Sequence, residues 1–177
     1  TALNSTGAQI IIGGMPNALL TPYFTTVGIG VGLKLQEIPV PGLVYQTTGA
    51  PGIALATPSQ LINDSVLVTL SGSAAAGLIG DQTGKYYTDN GIPVPPGVNI
   101  AFPFGLTPEN PFPNNLVLDP TEIAAYLALR DGYNQIISGL AASFGYSVIN
   151  WDELFNSLAS TNGLPVNGIN FSATYIS

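Results

Sequence analysis

At 177 residues, with three Lys+Arg against ten Asp+Glu and a formal net charge of −7, the chain has the length of one domain with one core. Charged residues make up 7% of it, against about 25% in an ordinary soluble domain, so Ser, Thr, Asn, Gln and backbone must cover its surface. It has no His and no Cys, which excludes Ser-His and Cys-His nucleophile systems, zinc sites with nitrogen or sulfur ligands, haem and disulfides.

Lys34, Lys85 and Arg130 are the only cationic side chains, so the electrostatic footprint of a nucleic-acid binder is missing, as is a polybasic cluster for anionic lipid. No apolar run reaches the length of a membrane span, and no basic start leads into an apolar stretch. The low-charge, polar surface suits a secreted or cell-envelope protein, periplasmic, outer-membrane-associated or extracellular. No cofactor is expected.

In chain order, Ala2–Thr6 reads as the end of a helix stopped by Gly7. Gln9-Ile10-Ile11-Ile12, closed by Gly13-Gly14, is a short β-branched run of the kind buried on both faces of a parallel sheet. Met15-Pro16-Asn17 signals a turn, and Thr21–Thr26 alternates polar and aromatic residues. From about Val27 to Leu118 the chain is rich in Gly and Pro and poor in helix signals. Val66–Leu70 is its clearest strand. Seven prolines between Thr88 and Pro113 exclude a helix or a central strand there, so that stretch must be ordered by packing its own Phe102, Phe104 and Phe112.

The C-terminal third is the most regular. Asp119-Pro120-Thr121-Glu122 combines an acidic N-cap, Pro at the first helical position and Glu three residues after the cap. Ile123, Leu127, Ile136 or Ile137, Leu140 and Phe144 recur at helical spacing up to Gly145. Tyr146–Trp151 then reads as a strand, and Asp152 as the cap of a short helix to about Ser160. Strand, long insertion, helix, strand, helix is an α/β pattern.

The chemistry-bearing motifs are weak. Gly28-x-Gly30-x-Gly32 resembles a dinucleotide loop, but Leu33 stands where the third Gly belongs. Gly80-Asp81-Gln82-Thr83-Gly84-Lys85 hints at a phosphate loop, yet its glycines are one residue too close and Tyr86 replaces the magnesium-binding Ser/Thr. A calcium ion shared by Asp81 and Asp89 lacks the EF-hand spacing, and Asp152-Glu153 suit a helix start better than an acid/base pair.

Gly7–Asn17 followed by Thr21-Pro22-Tyr23-Phe24-Thr25-Thr26 resembles the fourth-strand region of GDSL/SGNH hydrolases, closest to bacterial envelope lipase- and acylhydrolase-like members. Leu118–Ile123 resembles that family's next helix start, Tyr133-Asn134 with Leu140 its following helix, and Val148–Asp152 its next strand. Gly168–Phe171 resembles the stretch before its last block. The resemblance implies a flavodoxin-like three-layer sandwich, here partial. Residues 1–26 and 117–177 would be scaffold and 27–116 a Pro/Gly-rich, partly β insertion, all within a single domain or domain fragment.

It also implies that the blocks carrying the nucleophile, the oxyanion hole and the Asp-x-x-His pair are absent, so no catalytic residue is assigned. The expected function is the non-catalytic portion of an ester hydrolase, a lipase, acylhydrolase or carbohydrate esterase, supplying scaffold and pocket wall for a lipid or acylated glycan. The alternative is a non-catalytic envelope binding or adhesion module. Because ligands bind outside the carboxyl ends of parallel strands, Met15, Pro16 and Asn17 are the first pocket candidates, with Tyr23 and Phe24 as an aromatic wall. A sheet edge left unpaired predicts a homo-oligomer.

Overall fold

The computed structural model describes residues 4–49, 52–160 and 162–172. The protein is mixed α/β, and among the described residues its strands are arranged as four two-stranded sheets. It divides into two compact units, Thr1–Thr21 with Thr121–Ser177, and Pro22–Pro120.

In the first unit a 3-10 turn at Asn4–Thr6 ends at Gly7, whose φ of 71° fits the expected stop. Strand β1 (Ile11–Gly13) follows, shorter than the apolar run that announced it and not buried on both faces, since Ile11 is 63% exposed, and a 3-10 turn at Ala18–Leu20 closes the segment.

The second unit opens with helix α1 (Pro22–Gln36), most of it in the stretch whose sequence is poor in helix signals. The reason is packing. Next come strands β2 (Leu43–Gln46) and β3 (Ile53–Ala56), antiparallel to each other, and helix α2 (Pro58–Ile62). A Cβ on Gly32 would lie 2.8 Å from the Pro58 carbonyl, and one on Gly28 would touch the Leu61 carbonyl at 3.5 Å. The small residues that weaken helix propensity thus let α1 lie directly on α2, and burial outweighs a propensity cost of about 1 kcal/mol per Gly. The glycine alternation is a helix-packing groove, not a nucleotide loop.

Strand β4 (Leu67–Val68) is the core of the expected Val66–Leu70 strand. Short helices α3 (Ser73–Ala76) and α4 (Lys85–Asp89) follow, and β5 (Val117–Leu118) pairs antiparallel with β4. Between α4 and Pro113 the described chain forms no helix and no strand of the named sheets, as the prolines require. It is nonetheless anchored to β2: Val44 N donates to Gly105 O, Phe112 N to Val44 O and Gln46 N to Phe112 O, each at 2.8 Å. Phe104 and Phe112 are 1% and 0% exposed and join Leu35, Leu43, Leu61 and Val68 in the core, with the Tyr86 ring stacked on Phe104 at 5.1 Å. Phe102 does not follow its expectation. It is 39% exposed, and its backbone carbonyl instead accepts from the buried Asn110 side chain at 2.8 Å.

Back in the first unit, α5 (Pro120–Phe144) starts with Pro at its first position, as read from the sequence. It ends at Gly145, where φ is 69°. Tyr146 N donates to Ala141 O and Gly145 N to Ala142 O, the paired bonds of a Schellman stop. Strand β6 (Ser147–Ile149) runs parallel to β1, with Ile11 opposite Ser147 and Gly13 opposite Ile149. Trp151 is not part of the strand; it opens helix α6 (Trp151–Ala159). Nor does Asp152 cap that helix, because the Asn150 side chain accepts from Glu153 N at 3.3 Å and holds the N-cap. Strands β7 (Leu164–Val166) and β8 (Ile169–Phe171) make a hairpin closed by Asn167-Gly168, both at positive φ (51° and 81°), the tight turn that suits strand twist.

Candidate functional site

The carboxyl ends of the parallel pair β1–β6 point the chain into Gly13-Gly14-Met15-Pro16-Asn17. This loop is fixed almost entirely by side chains from α5 and α6. Asn134 on α5 clamps Met15 from both sides of its amide, accepting from Met15 N at 2.7 Å and donating from Nδ2 to Met15 O at 3.0 Å. Two turns earlier on the same helix, Tyr126 Oη accepts from Ala18 N at 3.0 Å and donates to Pro16 O at 3.3 Å. Asp152 on α6 accepts from Asn17 N at 3.1 Å, and Gly14 N donates to Ile149 O at 3.0 Å. The spacing 126, 130, 134 places Tyr126, Arg130 and Asn134 on one face of α5, a turn apart.

Glycine is required at the mouth of the loop. A Cβ on Gly14 would sit 3.0 Å from Asn134 Oδ1, and a Cβ on Gly13 would collide with the Trp151 indole. Arg130, only 12% exposed, ties the carboxylates together: Nη1 lies 3.3 Å from Asp152 Oδ1, while Nη2 and Nε donate to Asp131 Oδ1 at 2.6 and 3.0 Å. Beside this network lies an open groove of 620 Å³ lined by Gly14, Asn134, Ile149, Asn150, Asp131 and Asp152 among others. Asp131 and Asp152 are the charged residues of the lining, and Arg130 behind them offsets one of the two charges, which leaves the wall net negative. Such a wall offers hydrogen bonds to neutral polar groups and disfavours phosphates and carboxylates.

Of the residues singled out from the sequence, Met15 lies in the clamped loop and is 37% exposed. Pro16 contributes a carbonyl acceptor. Asn17 is engaged by its own fold, its Oδ1 accepting from Leu19 N at 3.1 Å to cap the following turn. Tyr23 and Phe24 lie elsewhere in the chain's organisation, in the first turn of α1 and so in the second unit. There the Tyr23 hydroxyl hydrogen-bonds Ser71 Oγ at 3.1 Å, and the two rings meet edge to face at 4.9 Å. Asn134, Tyr126 and Arg130 were not singled out as site residues, although Tyr133-Asn134 carries part of the family resemblance. Their 4-residue spacing is visible in the sequence, but helix polar residues at that spacing are ordinarily solvent-facing.

The remaining motifs resolve as structure. The Asp81 carboxylate accepts from Thr83 Oγ1 at 2.8 Å, Thr83 N at 3.0 Å and Lys85 N at 3.1 Å, so the loop's backbone donors are satisfied by the chain's own anion. The Thr83 hydroxyl bond, with backbone donors behind it, holds the Asp81 carboxyl below its ordinary range. Asp89 pairs with Lys85 along α4, so Asp81 and Asp89 do not share a site. Among the described residues no group of three or more His, Cys, Asp and Glu is placed to hold a metal ion. No helix is long and apolar enough to cross a membrane, among the residues described. No family model, no curated protein and no solved structure matches the chain.

Proposed function

We propose that this chain is the non-catalytic portion of an ester hydrolase of the GDSL/SGNH kind, a partial three-layer sandwich working in the cell envelope or outside the cell. In this reading its first unit supplies scaffold and one wall of the substrate pocket. The observation that carries the reading is the groove at the carboxyl end of the parallel β1–β6 pair, where α/β proteins take their ligands. Five hydrogen bonds from three side chains hold the adjoining loop in place, the pre-organisation that a pocket wall needs. The net negative wall favours a neutral substrate, an acylated glycan over an anionic lipid.

The chain has no His and no Cys, so it cannot supply the Ser-His or Cys-His pair of an acyl-transfer site to the groove. It therefore binds without turning substrate over. The test is an amide NMR titration of the ¹⁵N-labelled chain with acetylated xylo-oligosaccharides, with the deacetylated sugar as control. Shifts at Gly14, Met15 and the Asn134 side-chain amide, lost in Asn134→Ala, are expected. No shift in these signals up to about 10 mM acetylated sugar, a binding energy below about 3 kcal/mol, rejects the reading. Hydrolysis of nitrophenyl esters by the purified chain rejects its non-catalytic part.

A further inference from the structure

Helix α5 carries an apolar stripe that no described element of its own unit covers. Leu129 is 64% exposed, Tyr133 53%, Ile136 59%, Leu140 53% and Phe144 45%. At 100° per residue these five fall within about 80° of the helix circumference, and they run about 22 Å along the axis. No charged side chain lies on the stripe between Leu129 and Phe144; Arg130 and Asp131 turn away to pair with each other and with Asp152. The spacing is close to a palindrome. Reversing the helix about a point between positions 136 and 137 exchanges 129 with 144 and 133 with 140. A surface that maps onto itself when reversed is what a two-fold, isologous contact requires.

We propose that α5 packs antiparallel against α5 of a second copy of this chain, about a two-fold axis passing beside Ile136. Leu129 then meets Phe144 of the partner subunit, and Tyr133 meets Leu140 of the partner subunit. Gly132 and Gly139 flank the stripe on one side, and a Cβ added at either would meet nothing, so there is room for a neighbouring helix to approach closely. Phe144 is already steadied by stacking on Tyr146 at 5.6 Å. The exposed parts of the five side chains amount to on the order of 500 Å² per copy, so the pair removes on the order of 1,000 Å² from water, where specific interfaces begin. The sheet edges are poorer sites for self-association, because β1 and β6 are only three residues long.

The absence of cysteine makes the test clean. Sedimentation of the wild-type chain at about 100 μM should show a dimer. Because each copy carries a net charge of −7, added salt should tighten it by screening their repulsion. Ile136→Glu should raise the dissociation constant at least about tenfold with an unchanged circular dichroism spectrum. With a short bis-maleimide, Ile136→Cys should cross-link to itself. Leu129→Cys should cross-link only when mixed with Phe144→Cys. A monomeric wild type at that concentration, an undiminished dimer in folded Ile136→Glu, or self-cross-linking of Leu129→Cys alone each overturns the proposal.

Discussion

The unit Pro22–Pro120 contains all the largest fully buried side chains, Phe104, Phe112, Leu35, Leu43, Leu61, Val66 and Val68 among them, although much of it is irregular. The unit built from Thr1–Thr21 and Thr121–Ser177 contains the longest helix and the parallel strand pair. Of its described apolar residues, only Leu19 and Ala141 are buried. Regularity and burial have come apart. In the irregular unit, prolines restrict the unfolded chain and so lower the entropic cost of ordering, turn glycines take up positive φ without strain, and non-local packing of a few aromatics supplies the driving force. In the regular unit, order comes from local capping and from side-chain hydrogen bonds onto the loop after β1, and apolar surface is left over.

The comparison breaks most visibly if a core truncation and a stripe truncation cost the same. Phe112 is fully buried between Phe104 and β2, so Phe112→Ala should lose about 3–5 kcal/mol in urea unfolding. Leu129→Ala, at a concentration where the chain is monomeric, should change stability by no more than about 0.5 kcal/mol. Comparable losses would mean that the first unit has a core after all.

That division also explains what could be read in advance. The boundaries of α5 were legible because they are local: Pro120 at the first position and Gly145 at the stop act within one turn. The face of α5 was not. Ile136, Leu140 and Phe144 recur at helical spacing, which ordinarily marks a buried face, and here marks an exposed one. The ordering role of Phe104 and Phe112 could be foreseen from proline content, but the exposure of Phe102 could not, since it depends on Asn110 capturing its carbonyl. Helix α1 was missed because its glycines are used for close packing on α2, a non-local reason. In the site, the loop Met15–Asn17 was found from the rule about strand ends. Its clamps, Asn134 and Tyr126, lie more than a hundred residues away and become neighbours only when β6 pairs with β1.

Helix caps sharpen the contrast at a smaller scale. Thr57 and Gln60 form a complete capping box at α2, with Thr57 N donating to Gln60 Oε1 at 2.9 Å and Gln60 N to Thr57 Oγ1 at 3.3 Å. Helix α2 carries Leu61 into the core, so Thr57→Ala should lower global stability by about 1 kcal/mol. Asn150 caps α6, which buries no residue. Asn150→Ala should therefore speed amide exchange in the first turn of α6 while leaving the global melting temperature nearly unchanged. An equal fall in melting temperature for both variants would show that α6 unfolds with the core.

The smallest effect is a difference of sign between two carboxylates of the second unit. Hydrogen bonds from Thr83 hold the Asp81 carboxyl below its ordinary range, so the folded state favours the charged form. That contribution to stability is fully present above the unfolded value near pH 4 and is lost as pH falls through the lower folded value. Asp64 is the reverse. Its backbone sits at φ 55°, and although the residue is exposed, partial desolvation raises its carboxyl pKa, so the folded state resists ionising it. Below the unfolded value Asp64 carries no penalty; the penalty develops as pH rises through the window up to the raised folded value and is complete above it. Asp64→Asn keeps a residue type that tolerates positive φ and removes the charge. It should melt higher than wild type at pH 7, with the gain vanishing below pH about 3. Asp81→Asn should melt lower than wild type at pH 7, with the loss shrinking on acidification. Calorimetric melting curves for both variants across that range decide the matter, and a shift of the same sign in both at pH 7 would sink the assignment of opposite roles.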